Sequence, residues 1–196
     1  MVKAIVFAGA RFPAVTPVAD WAAGNERSMA MTGLEGGCAC GGVRYRLNDA
    51  PMFVHCCHCT CCQTETGSAF VLNALLESER VETLQGAPEP VLTPSESGRG
   101  QQVWRCPDCK VALWSNYGGA VDVLRFVRIG TLDAPASLPP DVHIYTRSKL
   151  PWVQLPDGVP AFEAYYDSAA LWPAASLERR AAAMAKLAVR PPNPAA

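Results

Sequence analysis

The cysteines of this chain lie in three short stretches, and their spacing is the first indication of chemistry. The nine cysteines occupy positions 38, 40, 56, 57, 59, 61, 62, 106 and 109. A disulfide framework would normally use an even number of cysteines distributed along the chain. Thiolates at one- and two-residue spacing are instead typical ligands of a metal ion in a reducing compartment. The pattern predicts metal binding, and we expect a cytoplasmic protein.

The first and last stretches predict one closed zinc site. Cys38 and Cys40 stand one residue apart in a glycine-rich turn, and Cys106 and Cys109 have a two-residue spacer that lets both sulfurs face one ion. Four thiolates satisfy the tetrahedral preference of Zn²⁺ and leave no position free, which is typical of a structural site. One Cys-x-x-Cys alone could be a redox pair, but its combination with Cys-x-Cys favours the metal.

The middle stretch predicts a second site with a different character. Cys57, Cys59 and Cys62 offer three thiolates, and a fourth tetrahedral position would be open, as it is in catalytic zinc sites. Three thiolates leave the ion a weak Lewis acid that is suited to a soft fourth ligand, such as a substrate thiol. The alternative is a second closed site, in which the fourth ligand comes from the same stretch. The candidates for that ligand are Cys56, Cys61, His55 and His58.

Short strands must position these cysteines. Alternating or apolar segments predict strands at 43–47, 70–72, 80–84, 102–105, 111–115, 121–129 and 142–145. Glycine and proline pairs between them predict turns, and the chain contains 17 prolines and 15 glycines. The expected fold is therefore mainly β and antiparallel.

Composition divides the chain into three regions. Residues 1–32 are rich in Ala, Pro and Gly and predict either a disordered leader or a translation start at Met29 or Met31, and in both cases the segment is dispensable for function. Residues 33–165 contain all nine cysteines and form the expected zinc domain. Residues 166–196 predict a short C-terminal helix with Ser176 as its N-cap, ended by Pro191 and Pro192, followed by a tail.

Charge and hydropathy exclude two classes of protein. Lys and Arg total 17 against 18 for Asp and Glu, so the formal net charge is -1 and the basic excess of a nucleic-acid-binding protein is missing. No window of the sequence approaches eighteen uninterrupted apolar residues, so no membrane span is expected. The apolar run near the N-terminus is interrupted by Arg11, too early for a signal peptide. The sequence makes no prediction of oligomeric state.

The ordered motifs resemble a known family. The motif residues are Gly37-Cys38-Ala39-Cys40-Gly41-Gly42, Cys57-His58-Cys59 with Cys62, Thr66-Gly67-Ser68, Cys106-Pro107-Asp108-Cys109, Gly130-Thr131-Leu132-Asp133 and His143-Ile144. In this order they resemble the glutathione-dependent formaldehyde-activating enzymes, whose domain is shared with centromere protein V. The resemblance implies an antiparallel β-tent fold and two zinc ions per chain. The structural ion would be bound by Cys38, Cys40, Cys106 and Cys109, and the catalytic ion by Cys57, Cys59 and Cys62.

The resemblance also implies an activity. Enzymes of this family join formaldehyde to glutathione as S-hydroxymethylglutathione and are classed as carbon–sulfur lyases, so the implied partner is a small thiol such as glutathione. Three features depart from the family pattern: Gln63 replaces a common arginine, and Cys56 and Cys61 are additional thiols. The fold also serves proteins that are not enzymes. A non-catalytic zinc-binding module or a thiol or metal sensor is therefore the alternative.

Three polar residues outside the cysteine motifs have two interpretations each. His143 is predicted to be a histidine that lies in the core or supports a ligand residue, with a hydrogen bond to the backbone, rather than a functional one. Arg125 and Arg128 could bind a substrate carboxylate or form a solvated face of their strand.

Overall fold

The computed structural model describes residues 33–117, 120 and 123–188. Within these ranges the chain forms ten strands, three α-helices and four short 3-10 helices. The strands are β1 (Leu34–Gly37), β2 (Arg44–Leu47), β3 (Phe53–Cys57), β4 (Val71–Glu77), β5 (Val81–Gln85), β6 (Glu89–Thr93), β7 (Gln101–Arg105), β8 (Ala112–Tyr117), β9 (Leu124–Arg128) and β10 (Val142–Ile144). The helices are α1 (Thr60–Thr66), α2 (Ser168–Leu171) and α3 (Ala174–Ala188).

The strands form two sheets. The smaller sheet has the order β1-β2-β5, and the larger sheet has the order β10-β3-β4-β9-β8-β7-β6. Every pairing is antiparallel except that of β10 with β3, which is parallel. This confirms a mainly β fold with a short C-terminal helix. The parallel edge could not be predicted, because alternation within a strand carries no information about the direction of a distant partner.

The edge strand β6 was not expected from the sequence, because Pro90 suggested a turn. In the structure Pro90 pairs with Trp104 of β7 at the outer edge of the larger sheet. An edge strand tolerates proline because its missing N–H would have no neighbouring strand to bond. The predicted strand at 121–129 is also shorter than expected and begins at Leu124, while Val121 and Asp122 lie outside the described residues.

Two apolar cores fill the molecule, and each contains one group of candidate ligands. The first core surrounds Tyr45 and Trp114, whose rings meet edge to face at 5.8 Å, and it includes Cys38 and Cys106. Gly36 is required there, since a Cβ at this position would lie 2.5 Å from the Thr131 carbonyl oxygen. Because Gly36 has no side chain, β1 can lie directly against the backbone of Thr131 at this core.

The second core lies under the C-terminal helix. It contains Phe53 and Trp172, whose rings stack at 5.1 Å, together with Cys57, Cys59 and Cys62. The candidate ligands in both cores are therefore supported by packed side chains, a condition for holding a metal site in a fixed geometry.

The predicted N-cap of the C-terminal helix was wrong. Helix α3 begins at Ala174, directly after Pro173, so Ser176 lies inside its first turn. A proline next to the first helical residue favours this start because its fixed φ suits helix entry. The Ser176 hydroxyl instead donates to the Met52 carbonyl oxygen at 2.7 Å, and Arg179 forms a bidentate pair with Glu77 of β4. The helix is thus fastened to the larger sheet.

Several sequence expectations concern parts of the chain that the structure does not describe. The leader at 1–32 and the helix stop at Pro191 and Pro192 lie outside the described residues. Among the described helices, none combines the length and the apolar character needed to cross a membrane.

Candidate metal centres

The structure brings the first and last cysteine stretches together. The Sγ atoms of Cys38, Cys40, Cys106 and Cys109 lie within 4.8 Å of one another. The Cys38–Cys40 and Cys40–Cys106 sulfur distances are 3.4 and 3.7 Å. Sulfurs at the corners of a tetrahedron around an ion at about 2.3 Å would be about 3.8 Å apart. The donor set and its spacing therefore fit Zn²⁺.

Backbone donors stabilise the thiolate form of two of these sulfurs, those of Cys38 and Cys109. The Val43 N–H donates to Cys38 Sγ at 3.2 Å. Hydrogen bonds from the backbone N–H groups of Val111 and Cys40 lower the pKa of the Cys109 thiol to about 6. Lys110, directly after Cys109, has a φ of 62° and so lies in the left-handed region, which closes the turn around the sulfur. Thiolates are the form that binds a metal.

The middle stretch forms a second group of three sulfurs. The Sγ atoms of Cys57, Cys59 and Cys62 lie within 4.8 Å of one another, and all three residues are buried. Cys57 ends β3, Cys59 is the N-cap of α1, and Cys62 lies in the first turn of that helix. The Cys59 sulfur accepts a hydrogen bond from the Cys62 N–H at 3.4 Å. A strand end followed by a capped helix therefore positions all three thiols.

The protonation of these thiols is coupled. Hydrogen bonds from the thiols of Cys57 and Cys62 lower the pKa of Cys59 to about 3. The hydrogen bond with Cys59 raises the pKa of Cys57 in turn. Without an ion, the three sulfurs are close enough for one thiolate to be stabilised by two thiols. A bound cation would favour the thiolate form of all three.

The Gln63 side chain makes two hydrogen bonds that connect separate segments of the chain. Its side-chain amide donates to the carbonyl oxygens of His58 and Ser148, at 2.8 Å each. It thereby ties the start of α1 to the segment that follows β10. This holds the loop that carries Cys59 in place.

None of the four candidates for a fourth ligand belongs to the three-thiol group. Cys56 and His58 belong to a separate group with His143. Cys61 and His55 line the same cavity as the three thiols, but neither joins their 4.8 Å group among the described residues. Cys61 is partly exposed, and its sulfur lies 4.0 Å from a Glu96 carboxylate oxygen.

A cavity of about 460 Å³ opens beside the three thiols. One wall carries the polar side chains of Ser95, Ser97, Arg99 and Gln101, and another carries Arg180 and Met184 of α3. Aromatic side chains complete it: Tyr117, Phe126, Tyr145 and Tyr165. A concave, largely apolar space with a few polar groups is typical of a small-molecule site.

A hydrogen-bonded chain of aromatic side chains holds His55 at the edge of this cavity. Trp172 Nε1 donates to the Tyr166 hydroxyl at 2.6 Å, and that hydroxyl lies 2.9 Å from His55 Nε2. The indole can only donate, so the Tyr166 hydroxyl accepts from Trp172, and its hydrogen bond with His55 Nε2 is possible for either tautomer of the ring. His55 Nδ1 is buried and has no hydrogen-bond partner among the described residues. Burial lowers the pKa of His55 to about 3, so the ring is neutral at pH 7.

A charged network connects α1 to strands β7 and β9. Glu65 pairs with Arg105 at 2.5 Å and with Arg128 at 2.9 Å, and Arg128 also donates to the Asn73 side-chain oxygen. The side chains of Glu65 and Arg128 are 3% and 6% exposed. Arg128 is therefore part of a buried network rather than of a solvated face. Arg125 lies over the Trp114 ring at 4.7 Å and donates to the Val81 carbonyl oxygen.

The Glu65→Gln variant tests this network. Loss of the carboxylate would leave Arg128 as a buried charge without its counterion, and we expect the free energy of unfolding to fall by about 3 kcal/mol. The exposed pair of Glu79 with Lys186 provides the control, because Glu79→Gln should cost less than about 1 kcal/mol. Urea unfolding followed by tryptophan fluorescence measures both values. An equal loss of unfolding free energy in the two variants would contradict a stabilising role of the buried Glu65–Arg128 ion pair.

Sequence reasoning missed Glu65, Tyr166 and Trp172. Glu65 follows Cys62 on the next turn of α1, and only its distant partners reveal its role. Tyr166 and Trp172 lie beyond the cysteine region, in a stretch whose aromatic residues were the single available signal. His143 was interpreted as a core histidine and is buried, but it contacts His58 rather than a backbone group through its Nδ1.

The fold and the thiol groups define a mainly β domain with candidate metal centres. The sequence profile of the glutathione-dependent formaldehyde-activating enzymes matches residues 33–148, and the chain belongs to this family. No curated protein matches the chain. A crystal structure of a Rhodobacter sphaeroides protein is similar at 15% identity and a TM-score of 0.38, covering 66% of this chain and 99% of that one. That similarity is too low to add to the argument.

Proposed function

We propose that this protein is a zinc-dependent enzyme of the carbon–sulfur lyase type that acts on a thiol and formaldehyde, as in S-hydroxymethylglutathione formation. The observation that carries the proposal is the convergence of Cys57, Cys59 and Cys62 on a cavity, with no fourth donor in their group among the described residues. Family membership supports the same class of activity. The nine reduced thiols favour a cytoplasmic location.

Two groups of thiols would hold two zinc ions. Cys38, Cys40, Cys106 and Cys109 fit a closed structural site, and Cys57, Cys59 and Cys62 fit a site that can accept one more ligand. When bound at the second site, zinc would keep an incoming substrate thiol in its thiolate form at neutral pH. The reaction forms one carbon–sulfur bond, and the thiol proton goes to the former carbonyl oxygen. No oxidant or reductant is needed.

The cavity carries cationic groups suited to an anionic thiol. Arg99 and Arg180 line it, and neither forms an ion pair with a carboxylate in the described part of the chain. The one acidic residue of the lining, Glu96, pairs with Arg147 at 2.5 Å. The Arg180 guanidinium lies over the Trp172 ring at 5.9 Å, which leaves its N–H groups without a carboxylate partner in the described part of the chain. The two carboxylates of glutathione could therefore bind Arg99 and Arg180 through charge-assisted hydrogen bonds.

The direct test of the reaction is the exchange between free formaldehyde and its glutathione adduct, measured by nuclear magnetic resonance with carbon-13 formaldehyde. We expect the zinc-loaded protein to accelerate this exchange above the uncatalysed rate. A chelator that removes the labile ion should abolish the acceleration. If no exchange above background occurs with glutathione or with other small thiols, the lyase proposal fails.

The Arg180→Gln variant tests how the substrate is bound. Loss of one charge-assisted hydrogen bond should raise the KM for glutathione about tenfold, since such bonds contribute about 1.5 kcal/mol. The KM for a neutral thiol such as 2-mercaptoethanol should not change. Lys186→Gln on the same helix is the matched control, because Lys186 pairs with Glu79 and does not line the cavity. Equal effects on both thiols would exclude Arg180 as a carboxylate-binding group.

The second candidate function is a non-catalytic zinc-binding module or a thiol or metal sensor. Cys61 favours it, because a partly exposed thiol lies in the cavity beside the three buried ones. In a sensor, mild oxidation would join Cys61 to one of them and release the ion. Zinc release that depends on Cys61 and reverses with a reductant, in a protein without exchange activity, would support this alternative.

A further inference from the structure

A third group of metal-binding side chains lies on the other side of β3. Cys56 is next to Cys57, and neighbouring residues of a strand point to opposite faces of the sheet. His143 of β10 pairs in parallel register with Cys56, so their side chains lie on the same face. His58 joins them from the start of the following loop, where its N–H donates to the Ile144 carbonyl oxygen at 2.9 Å. The cavity lining includes none of the three residues.

The donor atoms of this group converge. Cys56 Sγ, His58 Nε2 and a ring nitrogen of His143 lie within 4.8 Å of one another. His58 Nε2 is 3.0 Å from His143 Nδ1 and 3.5 Å from Cys56 Sγ. Around a tetrahedral ion with ordinary bond lengths, two imidazole nitrogens lie about 3.3 Å apart, and a nitrogen and a sulfur about 3.6 Å apart. The observed distances are within about 0.3 Å of these values.

Without an ion, one hydrogen bond between the two imidazoles and a weaker one with Cys56 would hold this group together. Two neutral imidazoles have one N–H each, and only one of these can point along the contact between the rings. The remote nitrogens, His58 Nδ1 and His143 Nε2, are buried and have no partner among the described residues, whether or not an ion is bound. With an ion, both remote nitrogens would carry a proton, because each imidazole would bind through its facing nitrogen; without an ion, only one of them does. Against this cost, each of the three facing atoms would gain a strong bond from a cation.

We infer that Cys56, His58 and His143 form a third metal site that binds one soft or borderline transition-metal ion, Zn²⁺ or Cu⁺. One thiolate and two imidazoles are a donor set that both ions accept, and no carboxylate that would favour a harder ion belongs to the group. The three residues are 0–5% exposed. The site is therefore closed to solvent, and the ion is enclosed as the domain folds.

Metal analysis of matched variants tests this inference. The full chain is produced with zinc in the medium and, in a second arm, with zinc and copper, and each ion is counted by mass spectrometry. Cys56→Ser and His143→Asn should each contain one ion fewer per chain than the unchanged protein. Cys61→Ser is the control, since Cys61 lies outside all three donor groups, and it should lose none. The element that disappears identifies the ion as zinc or copper.

Equal metal content in the Cys56→Ser, His143→Asn and Cys61→Ser proteins would overturn the inference. X-ray absorption spectra of the unchanged protein decide the case if the two variants fail to fold. The other two groups contain only sulfur donors, so the scattering pattern of coordinated imidazole at the zinc or copper edge can come only from this site. Spectra without imidazole scattering at either edge would equally overturn it. The metal counts and the spectra do not depend on whether the protein has the proposed lyase activity.

Discussion

The Cys109→Ser protein should fail to fold. A structural zinc site contributes on the order of 10 kcal/mol, which is comparable with the whole stability of a domain of this size. Loss of one of four thiolates removes several kcal/mol of that contribution. The loss also frees the turn between β7 and β8, which Cys106 and Cys109 would connect through the ion to the turn before β2.

Circular dichroism during heating and the zinc content together measure this effect. We expect no cooperative melting transition for the Cys109→Ser protein and the loss of at least one ion per chain. The Cys61→Ser protein should melt within about 2 °C of the unchanged protein, because Cys61 belongs to no donor group and is partly exposed. A Cys109→Ser protein that melts cooperatively at the original temperature would contradict a structural role for this site.

The Cys59→Ser protein should fold but lose its activity. Serine can keep the N-cap of α1, because its hydroxyl can accept the hydrogen bond that the Cys62 N–H gives to the sulfur. It is a much poorer ligand for zinc than a thiolate. Loss of residues that merely orient a ligand costs 10- to 100-fold in metal affinity or activity, so loss of the ligand itself should lower kcat/KM by at least about 100-fold.

Exchange kinetics and the melting temperature are measured on the same preparation. Thr60→Ser is the matched control, because Thr60 is exposed, adjacent to Cys59 and absent from the cavity lining. Unchanged activity of Cys59→Ser would remove the three-thiol group from the mechanism. Loss of folding in Cys59→Ser would instead show that the second site is structural.

The sequence predicts the grouping of the cysteines well, since ligand spacing is a local property of the chain. The turns around Cys38 and Cys106, and the step from β3 into α1 around Cys59, are each fixed within a few residues. The spacing of Cys38 and Cys40 and of Cys106 and Cys109 also predicts that the first turn meets the last, and the structure brings their four sulfurs within 4.8 Å of one another. The family resemblance implies the same grouping, and the profile match supports the family.

The other features of the site depend on contacts between distant parts of the chain, which the sequence alone does not predict. His143 meets Cys56 and His58 because β10 runs parallel to β3, and periodicity does not predict this direction. Tyr166 and Trp172 reach His55 from beyond the residues that the family profile covers. The short C-terminal helix was predicted, but its contribution of Arg180 and Met184 to the cavity depends on how it packs against β4.

The most direct test of the central claim is metal-edge X-ray absorption of the zinc-loaded protein with and without glutathione. If Cys57, Cys59 and Cys62 hold an ion that takes a substrate thiol, added glutathione should raise the number of sulfur neighbours at that ion from three to four. Cobalt-substituted protein gives an optical check, and the Cys57→Ser variant should not respond. A second site that already has four sulfur neighbours without added thiol would contradict the claim, because a cysteine of the chain would then close it.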